Sequence, residues 1–121
     1  MRVIIDSSVW VDHLKGTDTS CRDVLLSEGT VVLSHSMVFG ELMLGGVKRD
    51  TEVFTLLQEV PKATEPNREE ALLFIEGSAT NKGVGYVDSC ILASCILSNA
   101  ALMTRDENMI KLAGELNISL L

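Results

Sequence analysis

Short apolar runs alternate along the chain with longer segments in which apolar residues recur every three or four positions. The runs are rich in β-branched residues and show little polar alternation, which is typical of strands buried on both faces of a sheet. They predict strands at residues 2–6, 30–33, 60–64, 100–104 and 118–121. Pro61 limits the third of these to an edge of the sheet, because proline has no N–H to donate to a neighbouring strand.

The intervening segments have the 3.6-residue period of amphipathic helices. They predict helices at residues 7–15, 19–28, 37–44, 50–58, 66–82, 89–98 and 107–114. Hydroxyl residues can cap the first and third of these, and Gly16, Gly45 and Asn99 can terminate helices. Strands that alternate with helices in this order predict a single α/β domain, residues 1–121, with a mostly parallel sheet.

The composition fits a globular domain of ordinary size. The chain has 121 residues, of which 46% are apolar, and this is enough to bury a core. No apolar run is long enough to span a bilayer and no signal peptide is visible, so we expect a soluble, cytoplasmic protein. The chain has three cysteines, Cys21, Cys90 and Cys95. Because their number is odd and no Cys-x-x-Cys motif occurs, we expect reduced, partly buried thiols and neither disulfides nor a zinc site.

The net charge of −7, from 17 acids and 10 bases, argues against a broad basic surface that holds nucleic acid non-specifically. It does not exclude an enzyme that acts on nucleic acid, because carboxylates that surround a cation are counted here as bare charge.

Four acids stand out because they border or interrupt apolar sequence: Asp6, Glu41, Asp88 and Asp106. Asp6 ends the first predicted strand, and Asp106 lies two residues after the strand at 100–104. Taken singly, each has a simpler explanation: a helix cap for Asp6 or Asp88, a turn for Asp106, and a solvent-facing helix position for Glu41.

Taken together, the four acids predict a metal site. Ligands of α/β sheets bind beyond the carboxyl ends of the strands, where these acids are expected to meet. Like charges that close repel one another unless a cation lies among them. Carboxylates without histidine or cysteine partners favour Mg²⁺ or Mn²⁺ over zinc, and His13 and His35 are not spaced as a ligand pair. Such sites activate water for in-line displacement at phosphorus, which is the chemistry of metal-dependent nucleases.

Four segments of the chain resemble the PIN-domain family and, within it, the VapC-like toxins of toxin–antitoxin pairs. They are I-I-D-S-S-V-W at 4–10, G-E-L-M-L-G at 40–45, V-D-S-C-I-L-A at 87–93 and L-M-T-R-D at 102–106. The resemblance covers essentially the whole chain and implies a three-layer α/β/α sandwich with an acidic pocket. One departure is Met109, which stands where the family often has an aromatic residue.

The resemblance also implies site residues, an activity and partners. Asp6, Glu41, Asp88 and Asp106 match the family's acidic positions and would hold one or two Mg²⁺ or Mn²⁺ ions. Ser8, and secondarily Ser7, matches a small polar position that orients a carboxylate or water. The implied activity is endoribonuclease, with tRNA or rRNA as substrate, and the implied partners are a VapB-like antitoxin and a second copy of the chain.

Two alternatives stay open. A phosphoacceptor receiver domain shares the length, acidity and strand–helix order, but it needs an acidic pair after the first strand and a lysine after a later one. Here Asp6 is followed by two serines, and no lysine follows residues 102–104. The second alternative is a PIN nuclease that processes RNA without being a toxin. Whether the nuclease is a toxin or an RNA-processing enzyme, the bases near the four segments could contact the substrate backbone. They are Arg2, Lys15, Lys48, Arg49 and Arg105.

Overall fold

The computed structural model describes residues 1–121 and contains one sheet of three parallel strands. The strands are β1 (Arg2–Ile5), β2 (Val31–Leu33) and β3 (Ala101–Met103), in the order β2-β1-β3. Val3, Ile4 and Ile5 are each at most 1% exposed, although successive side chains of a strand point to opposite faces. Helices therefore cover both faces of β1, and the predicted α/β/α sandwich is confirmed.

Seven α-helices surround the sheet: α1 (Ser7–Lys15), α2 (Ser20–Leu26), α3 (Ser36–Leu44), α4 (Glu52–Glu59), α5 (Arg68–Phe74), α6 (Tyr86–Ser98) and α7 (Glu107–Glu115). Helix α1 packs against α2 and α3, whereas α6 packs against α5, α7 and the strands β1 and β3. Eight of the 13 residues of α6 are buried, so this helix forms a large part of the core. None of the helices combines the length and the apolar character that crossing a membrane requires.

The strands predicted at 60–64 and 118–121 are wrong as strands, since each contributes a single residue pair. Lys62 pairs with Ser34, and Leu120 pairs with Leu102, both in parallel. The Pro61 carbonyl accepts a hydrogen bond of 2.9 Å from the Ser34 N–H, as an edge position allows. The chain leaves the sheet again after one pair at each place.

The helix predicted at 66–82 is shorter than expected. It begins with a capping box between Asn67 and Glu70, but after α5 the backbone widens into a π-helical turn, Ile75–Ala79. Both the N–H and the hydroxyl of Thr80 donate to the Ile75 carbonyl five residues earlier, at 3.0 and 2.7 Å. These bonds close the wide turn and end the helix.

The helix predicted at 89–98 begins three residues earlier than expected. Helix α6 starts at Tyr86, and Gly85 occupies its N-cap position. Asp88 is therefore not the helix cap but a residue of the first turn, where its carboxylate faces the sheet edge at which β1 and β3 end.

Candidate metal centre

Asp6 lies at the carboxyl end of the central strand. Its N–H donates to the Met103 carbonyl at 2.9 Å and so continues the pairing of β1 with β3, which buries the side chain to 4% exposure. Asp6 precedes α1, but its carboxylate caps no N–H of that helix. Instead, Oδ2 accepts hydrogen bonds from the hydroxyls of Ser8 at 3.1 Å and Thr104 at 2.8 Å. The cap explanation for Asp6 is therefore wrong.

The other oxygen of Asp6, Oδ1, is buried and has no hydrogen-bond partner. Leaving a buried acceptor unpaired costs about 1–3 kcal/mol, and more where the group is charged. A charged oxygen in this position requires a partner that the polypeptide does not supply.

Two more carboxylates face Asp6. Glu41 extends from α3 and Asp88 from the first turn of α6, and both are half-buried. One oxygen from each of Asp6, Glu41 and Asp88 can be chosen so that all lie within 4.8 Å of one another. The Ser7 hydroxyl donates to Oε1 of Glu41 at 3.3 Å, so each serine of the pair after β1 contacts a different acid.

The electrostatics of this pocket favour binding of a proton or a cation. Burial, followed by the charge of Asp6, raises the pKa of both Glu41 and Asp88. Nearby Asp106 raises the pKa of Asp88 further. The charged forms of these two carboxylates are thus destabilised, and a bound cation would relieve this destabilisation.

Asp106 does not join the other three acids. Its side chain is exposed, and Oδ1 accepts a hydrogen bond of 2.9 Å from the Met109 N–H at the start of α7. Asp106 is thus the N-cap of α7 and acts on the pocket through its charge. Met109 itself is fully buried, so it fills the core where an aromatic residue was expected from the family.

Thr104 is a site residue that the sequence did not single out. Besides donating to Asp6, its hydroxyl accepts from the Asp106 N–H at 3.2 Å, and it therefore links two acids. The strand register brings the two residues together. Ile5 of β1 pairs with Met103 of β3, so Asp6 and Thr104, which follow them, lie side by side. That pairing was not deduced from the apolar runs.

Two of the bases proposed to contact a substrate are used by the fold. Arg2 donates to the Ser98 carbonyl at 2.7 Å. The Arg105 guanidinium binds Asp12 at 3.3 Å and also bonds to Asp18, which ties the segment before α2 to α1. These contacts occupy part of the hydrogen-bonding capacity of each guanidinium.

The donor set fits a hard divalent cation. It consists of three carboxylates, one of which has an unpartnered buried oxygen, with no sulfur or imidazole. His35 is buried apart from the acids: its Nδ1 accepts from the Met37 N–H and its Nε2 lies 2.8 Å from the Ser94 hydroxyl. Both ring nitrogens are satisfied, so His35 supports the fold.

Comparison with known proteins places this chain in a family. The PIN domain family model matches residues 3–115. The chain is similar to Ribonuclease VapC32 of Mycobacterium tuberculosis, with 28% identity over 120 residues that cover 98% of this chain and 95% of the relative.

Solved structures show the same fold at lower identity. A chain of VapBC-1 from nontypeable Haemophilus influenzae has a TM-score of 0.70 and 17% identity, covering 100% of this chain and 97% of its own. A chain of VapBC2 from Rickettsia felis, bound to a DNA fragment from their promoter, has a TM-score of 0.68 and 20% identity, with coverage of 100% and 98%. Because the family match spans nearly the whole sequence, the chain belongs to the PIN-domain family, as the resemblance of its four segments predicted.

Proposed function

We propose that this protein is a metal-dependent endoribonuclease and the toxin of a VapBC-type toxin–antitoxin pair. The observation that carries the proposal is the meeting of Asp6, Glu41 and Asp88, together with the buried oxygen of Asp6 that lacks a partner. Residues 1–121 act as one catalytic domain, since these acids come from both halves of the chain and the family match covers residues 3–115.

In this proposal, Asp6, Glu41 and Asp88 hold one or two Mg²⁺ or Mn²⁺ ions. Bound divalent cations supply Lewis-acid activation of water and stabilise charge at phosphorus. The Ser8 and Thr104 hydroxyls hold the Asp6 carboxylate through Oδ2, which leaves Oδ1 as the oxygen that could bind a cation. Ser7 orients Glu41, and Asp106 adds negative charge at the rim beside Asp88.

The comparisons support RNA as substrate and an antitoxin as partner. VapC32 is named a ribonuclease, and the two structural neighbours come from VapBC complexes. We extend both properties to this chain, with tRNA or rRNA as the target, a VapB-like protein as inhibitor, a homodimer as the working form and the cytoplasm as the location. Membership of the PIN family leaves no support for the receiver-domain alternative.

RNA cleavage by the purified protein tests the nuclease proposal. We expect cleavage of single-stranded RNA with Mn²⁺ or Mg²⁺, none with EDTA, and recovery when Mn²⁺ is restored in excess. Asp50→Asn serves as a matched control for Asp6→Asn, because Asp50 is exposed and lies outside the pocket. Cleavage that continues unchanged in EDTA and in Asp6→Asn would contradict the proposal.

A separate experiment distinguishes a toxin from a PIN nuclease of RNA processing. The open reading frame next to this gene is co-expressed with the tagged protein. A toxin is expected to arrest growth when expressed alone, to co-purify with the small product of the neighbouring frame, and to lose cleavage in that complex. Normal growth and no co-purifying protein would favour the processing nuclease.

A further inference from the structure

A small cleft opens between the loop that precedes α6 and one face of α7. It has a volume of about 200 Å³ and is lined by Asn81, Lys82, Asn108, Lys111, Leu112 and Glu115. The four residues from α7 are three or four positions apart and therefore share one face of that helix. Only one of the six lining residues is apolar, and two carry ammonium groups.

One wall of the cleft leads to an acid of the metal centre and the other to the acid beside it. The loop wall continues through Gly85 into the first turn of α6, which carries Asp88. The α7 wall begins just after Asp106, the N-cap of that helix. With a rise of about 1.5 Å per residue, Lys111 lies about 7.5 Å along the α7 axis from Asp106. The cleft is therefore a neighbour of the acidic pocket, on its α6–α7 side.

The two walls are held close together. The side-chain amide of Asn108 donates to the Gly83 carbonyl at 3.1 Å. Gly83 has a φ of +77°, and a Cβ at this position would lie 2.7 Å from Nδ2 of Asn108. A residue with a side chain here would strain the backbone and displace the Asn108 amide from its hydrogen bond with the Gly83 carbonyl. Gly83 thus allows the hydrogen bond that joins the two walls.

The ammonium groups of the cleft remain available to a ligand. Lys111 forms no ion pair. Lys82 contacts Glu115 at 3.1 Å, but both side chains are more than 40% exposed. Exposed pairs of this kind are worth only about 0.2–1 kcal/mol, so a stronger anion can replace the carboxylate. Arg105, by comparison, contacts two aspartates, so a phosphate would have to replace two ion pairs there instead of one.

We propose that this cleft binds a backbone phosphate of the RNA strand, next to the phosphodiester that is cut, through Lys111 and Lys82. The inference rests on the proposed ribonuclease function and adds the direction in which the strand leaves the metal centre. An RNA strand is repelled by the excess of acids elsewhere on the surface, so a basic cleft beside the pocket aligns it. The two lysines are positioning groups, because they contact the substrate away from the reacting phosphorus.

Steady-state cleavage of a fluorescent single-stranded RNA in Mn²⁺ tests this inference. We expect Lys111→Gln to raise KM about 5- to 10-fold with kcat within twofold of wild type, since the contact is uniform through the reaction. The slope of log(kcat/KM) against log[salt] should become shallower by about 1, as expected for the loss of one phosphate contact. Glu115→Gln should lower KM, because it removes the carboxylate that competes for Lys82.

Lys62→Gln is the matched control, since it removes the same charge elsewhere. Lys62 lines a different cleft with Phe39, which lies two residues from Glu41 and so on the opposite side of α3. This variant should keep the wild-type KM and salt slope.

Three results separate the possibilities. Equal increases of KM in Lys111→Gln and Lys62→Gln would show an effect of net charge and overturn the phosphate site. Lys82→Gln is expected to raise KM as Lys111→Gln does. If Glu115→Gln raised KM equally, the Lys82–Glu115 ion pair would serve the fold, and this result too would overturn the phosphate site. Both results leave the ribonuclease proposal intact, whereas a wild-type protein that cuts no RNA in Mn²⁺ would overturn the proposed function and this site with it.

Discussion

Asp6 and His35 occupy similar places on neighbouring strands, yet the fold satisfies only one of them. Each is a buried polar residue just beyond the carboxyl end of its strand, with exposures of 4% and 2%. The Nδ1 atom of His35 accepts from the Met37 N–H at 3.1 Å, so Nε2 carries the proton and donates to Ser94 at 2.8 Å. Asp6 leaves Oδ1 without a partner.

The difference separates a structural polar group from a binding group. A buried polar side chain with all of its hydrogen bonds fixes one arrangement of the chain. A buried carboxylate with an unpartnered oxygen and two facing acids is instead suited to a cation, which would relieve the repulsion among the charges. Burial and position relative to the sheet are common to both residues, so the completeness of the hydrogen bonding and the acids that face Asp6 distinguish them.

The largest effect is expected from Asp6→Asn. RNA cleavage should fall by about 10²–10³-fold, the scale for losing one key electrostatic group of an active site. The melting temperature of the metal-free protein should stay the same or rise, because a repelling charge is removed. Single-turnover cleavage and thermal denaturation in EDTA measure the two effects. Cleavage within threefold of wild type would contradict the claim that Asp6 is a binding group.

His35→Ala should show the reverse pattern. It removes the cap of α3 and leaves a cavity in the core, so we expect a loss of about 2–3 kcal/mol in the free energy of unfolding. Cleavage per folded molecule should stay within severalfold of wild type. Urea denaturation at pH 7.5 gives the stability; a loss under about 0.5 kcal/mol would mean that His35 does not have the structural role assigned to it.

Thr104→Val tests whether the orientation of Asp6 matters. Valine keeps the shape of the buried side chain but removes the hydroxyl that bonds Oδ2 of Asp6 at 2.8 Å. Loss of such a supporting contact typically weakens metal affinity or activity by about 10- to 100-fold. Thr55→Val is the control, since its exposed hydroxyl bonds only the carbonyl of Thr51. Equal Mn²⁺ affinities in the two variants would exclude a positioning role for Thr104.

Acidification should change the contributions of Glu41 and His35 to the stability of the fold in opposite directions. Burial, followed by the charge of Asp6, raises the pKa of Glu41 above 4.5, whereas burial lowers the pKa of His35 below 6.5. As the pH falls towards the raised pKa of Glu41, the folded protein binds a proton before the unfolded chain does, so the destabilisation by Glu41 is relieved. At His35 the unfolded chain binds its proton first, and stability is lost as the pH falls below about 6.5.

The Glu41 part of this prediction is the smallest effect and is measurable with Glu41→Gln in EDTA. At pH 8 the variant should be more stable than wild type, and the difference should be small because solvent screens a half-exposed group. The difference should shrink towards pH 5. A variant less stable than wild type at pH 8 would show that Glu41 is held by favourable contacts, as His35 is.

The sequence predicts the apolar framework of the fold well, because burial on both faces leaves a continuous β-branched run such as 3–5. It also predicts that acids follow the strands. It does not predict that Asp106 caps α7 while Glu41 and Asp88 join Asp6, because this depends on how each helix is rotated against the sheet. The π-helical turn at Ile75–Ala79 is hidden for a similar reason, since residues 75–79 are compatible with an ordinary helix.

Contacts between distant segments were the hardest to predict. Thr104 and Asp6 lie 98 residues apart and meet only through the register of β1 and β3. Lys82 and Lys111 belong to none of the four family segments, and they come together because α7 packs on α6. Arg105 belongs to such a segment, but its charge is used by Asp12 and Asp18.

Calorimetric titration of Mn²⁺ into the metal-free protein tests the central claim most directly. Wild type and Asp50→Asn should bind Mn²⁺ saturably at pH 7.5, and more weakly at pH 5, where protons compete for Glu41 and Asp88. Asp6→Asn should bind at least 10-fold more weakly. Identical binding curves for wild type and Asp6→Asn, or no binding by wild type, would contradict the claim that the free oxygen of Asp6 is a cation ligand.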